Sequence, residues 1–221
     1  IIGWEEPLIS LLLIIISLTD KPLIMWDDGP SNKALKFINS KRPKHIFKKF
    51  LIKLINKTRG SIFCTGQLAI NNNIKMGYAK SKLLNLPFFT PKSFFDKNIR
   101  KNHKIKSSEI FIFAGGRLDT KKGFDILICA LGNLIQKGCI SWKMVIIGSG
   151  KEYSKLNELI SFYKLNDLVS ILPWAKPEIF RNYIATADIF VAPSRKDHFP
   201  TTIIDAMKSK TCIISSKGTG S

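Results

Sequence analysis

The sequence is poor in acidic residues and in arginine. Only 16 of its 221 residues are Asp or Glu, against 35 Lys and Arg, so the net charge is +19, of which +13 lies in residues 1–109. Three uses of this charge stay open: compositional bias with a solvated face, an anionic membrane surface, and nucleic acid. Specific readout of phosphates and bases favours the planar fork of Arg. Because only six of the basic residues are Arg, we expect no nucleic-acid partner.

Paired cysteines and long apolar runs are also missing. The four cysteines form no CxxC pair, which argues against a disulfide framework or a metal site and favours a reducing, cytoplasmic compartment. The apolar run Leu8–Leu18 is shorter than the ~20 residues of a spanning helix. Because no basic flank or cleavage site accompanies it, a signal peptide is not indicated. The run predicts a buried helix that begins at Pro7.

What the sequence does contain is an alternation of apolar strands and longer helical segments. A hydrophobic content of 45% suffices for a packed core. Continuous apolar strands that alternate with helices predict an α/β fold, with a parallel sheet covered on both faces. The predicted strands are 22–26, 61–65, 110–115, 143–148, 168–172, 188–193 and 211–215. The predicted helices are 7–18, 44–57, 67–76, 123–137, 151–164, 176–186 and 200–209.

In parallel sheets the ligand binds at the carboxyl ends of the strands, so the loops that follow the strands are the candidates for chemistry. The first loop reads "AGGRLDTKKGFD" and places two glycines before Arg117 and Lys122. Two cations at such a rim suit a diphosphate. The alternative is a tight turn with ordinary surface charges.

The second loop contains the turn Gly148-Ser149-Gly150, directly before a predicted helix. Backbone N–H groups at a helix start can face an anion or a nucleotide. The turn does not extend into the GxGxxG pattern of dinucleotide-binding proteins, which argues against an NAD enzyme.

The third loop, "APSRKDHFPTTIIDAM", is followed by a helix that Pro200 is suited to begin, and Asp205 lies inside this helix, eight positions after Asp197. We expect both carboxylates to face one cleft, with the N–H groups of Phe199, Thr201 and Thr202 between them. The alternative is that Asp197 caps the helix and that Asp205 is a solvated charge. Among the histidines, His198 is expected at the rim of the site, and His45 and His103 are expected to be solvated in basic stretches.

Together these loops resemble the retaining, family-4 (group 1) glycosyltransferases of the GT-B fold. "GGRLDTKKGFD", "VIIGSGKEYSKL" and "ADIFVAPSRKDHFPTTIIDAM" are similar to that family's motifs in order and spacing. The resemblance implies two Rossmann-like domains with parallel sheets. We expect a partial, acceptor-side N-terminal domain at residues 1–90, a connector at 91–109 and a truncated nucleotide-sugar-binding domain at 110–221, so that the chain is an internal fragment.

The resemblance also implies roles for individual residues, with no cofactor and no metal. Arg117 and Lys122 would neutralise the donor diphosphate, and Asp197 would bind the donated sugar; these three are the expected catalytic residues. Both acids are Asp where the family usually has Glu, whose side chain is one methylene longer. The expected substrate-binding residues are Gly116, Gly148, Gly150, His198, Phe199, Pro200, Thr201, Thr202 and, for the ribose, Asp205.

The resulting prediction is a glycosyltransferase that moves a sugar from a UDP- or GDP-linked donor to a glycan or lipid-linked acceptor, with retention of configuration. These 221 residues need not suffice for activity. Two alternatives stay open: a non-catalytic nucleotide-sugar-binding relative and a basic membrane-surface module. Within 44–57 an apolar stripe faces a Lys stripe, which suits either an anionic membrane surface at the inner face of the membrane or a core helix with a solvated side. The apolar stripe is Ile46, Phe47, Phe50, Leu51, Leu54 and Ile55, and the Lys stripe is Lys49, Lys53 and Lys57.

Overall fold

The computed structural model describes residues 7–19, 21–30, 35, 40–86, 90–197 and 200–219. The chain divides into two compact units, residues 1–89 and 90–221. Both units are α/β and each has a parallel sheet.

The first unit contains a three-stranded parallel sheet in the order β1-β2-β3. Its strands are β1 (Leu23–Asp27), β2 (Gly60–Cys64) and β3 (Leu83–Asn85), and the α-helices whose bounds lie in the described residues are α1 (Pro7–Ser17), α2 (Pro43–Lys57) and α3 (Gly66–Met76). All these elements except β3 are predicted from the sequence to within one residue. The three residues of β3 are too few to show a periodic pattern.

The helix α1 begins at Pro7, as predicted, but the expectation that it is buried is wrong. Of its apolar residues, Leu13 is fully buried in the core of the first unit, while Leu8, Leu11 and Ile15 are more than half exposed. A run in which nearly every residue is apolar has no amphipathic pattern, so the sequence does not indicate which side faces the core.

The helix α2 lies within one residue of its predicted bounds, but only part of the predicted apolar stripe is buried. Leu51, Ile52 and Ile55 are buried, whereas Phe47 and Phe50 are close to half exposed. One turn of helix therefore presents aromatic side chains to solvent beside the lysines. The described residues include no helix that is both long enough and apolar enough to cross a bilayer.

The second unit is built around a five-stranded parallel sheet in the order β6-β5-β4-β7-β8. Each predicted strand and helix of 110–221 is present, with ends that move by at most two residues. The strands are β4 (Ile110–Gly115), β5 (Trp142–Ile147), β6 (Val169–Leu172), β7 (Ile189–Ala192) and β8 (Cys212–Ser215). The helices are α4 (Lys97–Asn102), α5 (Phe124–Gln136), α6 (Tyr153–Phe162), α7 (Pro177–Thr186) and α8 (Thr201–Lys208).

Alternate residues of the strands supply two cores, one on each face of this sheet. Ile112 and Ala114 of β4 point into the core that α5 and α6 cover. Phe111 and Phe113 point into the opposite core, which α7 and α8 cover. Burial on both faces explains why these strands read as continuous apolar runs rather than as alternating ones.

Residues 91–109, expected as a connector, contain the short helix α4. Asp96 caps its start by accepting a hydrogen bond from the backbone N–H of Asn98 at 2.9 Å. Ile99 and Ile105 are buried in the second unit's core, on the α7 side. Because this segment is mostly polar and basic, its sequence does not indicate that these two isoleucines are buried.

The strand order places a switch point between β4 and β7. From β4 the chain moves outward through β5 to β6, and it then returns to add β7 and β8 on the other side of β4. Loops that follow strands on either side of such a point diverge and leave a crevice at the carboxyl edge of the sheet. The loops that follow β4 and β7 carry Lys122 and Asp197.

Candidate functional site

Lys122 and Asp197 meet at the carboxyl edge of the second unit's sheet. The Nζ of Lys122 lies 2.5 Å from Oδ2 of Asp197, and the two side chains are 27% and 18% exposed. The pair is therefore partly shielded but open to solvent. Two residues that the sequence assigned to one site, from two different loops, are in direct contact.

The Lys122 loop is a single 3-10 turn at Thr120–Lys122 with a polar cap. The Asp119 carboxylate accepts hydrogen bonds from the backbone N–H groups of Lys121 and Lys122 at 3.0 and 3.3 Å. Gly123 follows with a φ of +68°. A Cβ at Gly123 would lie 2.2 Å from the carbonyl oxygen of Pro193, so glycine is needed for this loop to touch the loop after β7.

The predicted glycines lie where the loops after β4 and β5 pack together. A Cβ at Gly148 would come within 2.0 Å of the carbonyl oxygen of Gly116, and one at Gly150 within 2.3 Å of that of Leu118. The side chain of Lys122 passes over Gly116, whose hypothetical Cβ would be 3.7 Å from Lys122 Cε. Close backbone packing therefore requires glycine at positions 148 and 150, and Gly116 lies directly beneath the side chain of Lys122.

Arg117 occupies the same loop as Lys122 but a more open position. Its side chain is 77% exposed, and its Nε lies 3.4 Å from Oδ2 of Asp119. The guanidinium group is thus available to an anion at the rim, while Lys122 is held inside.

The helix α8 begins one residue after the predicted start. Pro200 is its N-cap residue, and Thr201 and Thr202 form the first turn, where backbone N–H groups lack acceptors within the helix. The Pro200 side chain has no oxygen that could accept a capping hydrogen bond from these N–H groups, so the helix start stays open to an anion. The predicted binding residues His198 and Phe199 lie outside the described residues.

Asp205 is buried in α8, with 7% of its surface exposed. Burial raises the pKa of this carboxyl group, and the Thr90 hydroxyl, Arg181 and Lys208 act in the opposite direction. Within the described part of the chain, its Oδ1 has no hydrogen-bond partner. An unsatisfied buried carboxylate oxygen of this kind is an acceptor that a ligand hydroxyl could fill. The structure brings Asp197 to Lys122, and it places Asp205 in a separate, buried environment on the same loop-helix segment.

The loop motifs did not point to two further residues at this site, Arg195 and Asp125. Arg195 forms a two-pronged ion pair with Asp125, in which Nη1 lies 2.7 Å from Oδ1 and Nη2 lies 2.6 Å from Oδ2. The guanidinium group lowers the pKa of the Asp125 carboxyl. The sequence signal was a basic residue directly after "PS" and an acid in the first turn of the helix after β4, which are both common surface patterns.

The expectation that His103 is solvated is wrong. Its Nε2 lies 2.8 Å from the Tyr183 hydroxyl, and the two rings meet edge to face with centroids 5.7 Å apart. Burial lowers the pKa of the imidazole. The cause is the packing of α4 against α7, which the sequence did not predict.

The arrangement can bind an anion and hydroxyl groups at neighbouring points. The Lys122 ammonium group and the start of α8 favour negative charge, while the Asp197 carboxylate can accept hydrogen bonds from hydroxyls. In the described ranges, no group of three His, Cys, Asp or Glu side chains is placed to hold a metal ion.

Residues 95–221, more than half of the chain, match the family described as "Glycosyl transferases group 1". The chain belongs to this family. A group 1 glycosyl transferase was expected from the loop motifs, and this family and the α/β, GT-B fold class are confirmed by this match and by the structural neighbours. Retention of configuration and the fragment status stay predictions.

Curated relatives of this glycosyl transferase match over part of their length. An uncharacterized glycosyltransferase of Haemophilus influenzae is 30% identical over 107 residues, which are 48% of this chain and 30% of the relative. The amylovoran biosynthesis glycosyltransferase AmsD of Erwinia amylovora is 30% identical over 95 residues, or 43% of this chain and 26% of AmsD. The matched segments thus span less than a third of either relative.

Among solved structures, Anabaena HepE in complex with UDP and glucose superposes with a TM-score of 0.66 at 16% identity. The superposition covers 96% of this chain and 58% of HepE. At this identity the likeness shows the fold of the glycosyl transferase, and the chain spans somewhat more than half of the HepE length.

Proposed function

We propose that this chain carries the donor-binding machinery of a glycosyltransferase that moves a sugar from a nucleoside diphosphate sugar to an acceptor, with retention of anomeric configuration. The observation that carries the proposal is the contact of Lys122 with Asp197 at the switch point of the second unit's sheet. A cation and a carboxylate at this edge match the two parts of such a donor, which are an anionic leaving group and a polyhydroxylated sugar.

In this proposal, Lys122 and Arg117 bind the diphosphate. Negative charge grows on the diphosphate as the glycosidic bond breaks, and a nearby ammonium group stabilises it. The Lys122 side chain lies over Gly116, whereas Arg117 is 77% exposed and can contact the phosphates from the rim of the site. The N–H groups of Thr201 and Thr202 add the positive end of α8.

Asp197 binds hydroxyl groups of the donated sugar, and Asp205 holds the ribose. Although Asp is shorter than the Glu usual in the family, Asp197 is oriented by its contact with Lys122 and by a hydrogen bond from its own N–H to the carbonyl oxygen of Gly218 at 2.8 Å. The bond to Gly218 fixes the backbone at Asp197. Asp205 contributes the buried oxygen that has no partner among the described residues.

UDP is the first donor nucleotide to test, with GDP as the alternative. Support for UDP comes from HepE, whose structure was determined with UDP and glucose. The AmsD relative acts, by its name, in amylovoran biosynthesis, and this supports a glycan or lipid-linked acceptor in polysaccharide synthesis. We assign the acceptor side to the first unit.

We further propose that the first unit places the enzyme at the inner face of a membrane. The evidence is the exposed face of α2, where Ile46, Phe47 and Phe50 are 56%, 45% and 48% exposed beside the exposed Lys49 and Lys53. Aromatic side chains that insert between lipids and lysines that meet anionic headgroups are the two parts of an interfacial helix.

The test is donor turnover by the protein expressed from its own gene. UDP-glucose and further UDP- and GDP-linked sugars are incubated with and without polyprenyl-phosphate and glycan acceptors, and the anomeric configuration of the product is read by NMR. We expect an axial product from an axial donor, and loss of at least 100-fold in rate in Asp197→Ala. Nucleotide binding without turnover of any donor would favour a non-catalytic relative, and an inverted product would contradict retention.

A further inference from the structure

Arg195 links the two loops that carry Lys122 and Asp197. Its guanidinium group donates two parallel hydrogen bonds to the Asp125 carboxylate, at 2.7 and 2.6 Å. Its Nη1 also donates to the carbonyl oxygen of Thr120 at 2.8 Å. Thr120 begins the 3-10 turn that contains Lys122, and Asp125 lies in the first turn of α5 just after it, so that one side chain from the loop after β7 is bonded on both sides of Lys122.

The backbones of the same loops are joined as well. The N–H groups of Arg195 and Lys196 both point at the carbonyl oxygen of Lys121, at 2.7 and 3.2 Å. On the other side of Lys122, Gly123 lies against the carbonyl oxygen of Pro193. Lys122 is thus flanked on both sides by residues that are fixed to the loop carrying Asp197.

We propose that Arg195 is a positioning residue for the donor site and acts through Lys122, by fixing the turn from which the Lys122 ammonium group reaches Asp197 in the free protein and the phosphates in the donor complex. The effect on catalysis rests on the proposed function. The positioning of Lys122 does not, because the bonds of Arg195 are present in the free protein. Asp125 is the anchor of this arrangement. Neither residue needs to touch the donor.

Geometry, rather than charge alone, is what Arg supplies here. A guanidinium group binds a carboxylate with two parallel N–H groups and has further N–H groups for a carbonyl oxygen, whereas a Lys ammonium group is a single point. Arg195 is 42% exposed, and exposed ion pairs contribute little to stability. A displacement of about 1 Å at a catalytic group can nevertheless cost on the order of 100-fold in rate.

The first test needs no ligand. The rate at which acetic anhydride modifies Lys122 is measured by mass spectrometry in the wild-type protein, in Arg195→Lys and in Arg195→Ala, with Lys121 as the internal reference. We expect Lys122 to react at least threefold faster, relative to Lys121, in both variants, because the amine leaves its carboxylate partner. An unchanged ratio would overturn the proposal whether or not the protein binds a nucleotide.

The second test is a double-mutant cycle for UDP binding, measured by calorimetry. We expect Arg195→Ala to weaken UDP binding fivefold or more, and Arg195→Ala/Lys122→Ala to bind as weakly as Lys122→Ala alone, because Arg195 acts through Lys122. If the loss of UDP affinity in the double variant equalled the product of the losses in the two single variants, Arg195 would contact the phosphate itself, and the assignment would be overturned.

The control is Arg100→Lys, which alters another Arg–Asp pair of the same unit, with Arg100 Nη1 3.0 Å from Asp188 Oδ2. We expect Arg100→Lys to lower the melting temperature without changing the Lys122 reactivity ratio or the UDP affinity. If Arg195→Lys behaved in the same way, its role would be structural only. If the wild-type protein bound neither UDP nor GDP but Arg195→Lys changed the Lys122 ratio, the positioning would stand and the proposed function would fail.

Discussion

The Lys122 ammonium group and the Asp197 carboxylate lie 2.5 Å apart, although 75 positions separate the two residues in the sequence. In the free protein each neutralises the other. In the proposed donor complex Lys122 meets a diphosphate and Asp197 meets sugar hydroxyls, so that donor binding exchanges one ion pair for two sets of contacts. This exchange has consequences that separate the roles of the two residues.

Asp197→Asn should separate binding of the nucleotide from binding of the sugar. Removing the carboxylate charge frees the Lys122 ammonium group for phosphate, so UDP affinity should stay within threefold of wild type or increase. Transfer from the sugar nucleotide should fall at least tenfold, because a neutral amide is a weaker acceptor for sugar hydroxyls. Calorimetry with UDP and a turnover assay check the two parts. Weaker UDP binding in this variant would contradict the exchange.

The buried Asp205 carboxylate should lower the free energy of unfolding at neutral pH. Burial raises its pKa above the ordinary value of 3.8, so the folded protein binds a proton more tightly than the unfolded chain, and stability falls as pH rises from about 3.8 through the folded pKa. Asp205→Asn removes this cost. Its melting temperature should exceed that of wild type by about 1–3 °C at pH 7, with a smaller difference at pH 4, while UDP affinity falls severalfold.

Thermal unfolding of the two proteins at both pH values measures this difference. If Asp205→Asn lowered the melting temperature by the same amount at pH 4 and pH 7, interactions in the fold would fully compensate for burial of the Asp205 carboxylate.

Gly123→Ala should damage both the fold and the site. The φ of +68° disfavours any residue with a Cβ, and that Cβ would overlap the carbonyl oxygen of Pro193 at 2.2 Å. Gly138→Ala is the matched control, because Gly138 has a φ of +77° and no atom within 4 Å of the position of a Cβ. We expect about 1 kcal/mol of destabilisation for Gly138→Ala and about 2–4 kcal/mol for Gly123→Ala, by urea denaturation. Equal losses would mean that the Pro193 contact relaxes freely.

Charge reversal on α2 should weaken membrane binding. Lys49→Glu/Lys53→Glu should reduce flotation with vesicles that contain anionic phosphatidylglycerol at least tenfold, since each lysine near such a surface contributes about 1 kcal/mol. Lys137→Glu/Lys164→Glu, with the same net charge on the second unit, is the control and should bind like wild type. Binding that does not depend on anionic lipid, or an equal loss in both variants, would contradict a role for this face.

How far the sequence predicts the fold depends on the length and pattern of each element. The strands of the second unit are buried on both faces, and their apolar runs stand out, so β4 and β5 are predicted to within one residue. The short β3 and the polar α4 were missed because three residues show no period and because α4 holds one buried residue, Ile99. In α1 the uniform apolar run predicts a helix but not its exposed side.

For the site, motif order predicts which loops matter but not which side chains touch. The contact between Lys122 and Asp197 depends on β4 and β7 lying side by side, which is a property of the strand order. The role of Arg195 depends on three acceptors contributed by residues 120, 121 and 125, and no local pattern brings these together. Asp205 was predicted as a ligand residue, and its burial follows from tertiary packing of α8.

The central claim, that Lys122 is a phosphate-binding cation of a nucleotide-sugar site, is tested most directly by calorimetric titration of UDP into the wild-type protein, Lys122→Ala and Lys121→Ala. Lys121 is the adjacent lysine of the same turn and is exposed, so it controls for net charge. We expect a 10- to 100-fold loss of affinity in Lys122→Ala, or about 1.4–2.8 kcal/mol, and less than a threefold loss in Lys121→Ala. Equal affinities in all three proteins, or binding of neither UDP nor, in a repeat titration, GDP by the wild type, would contradict the claim.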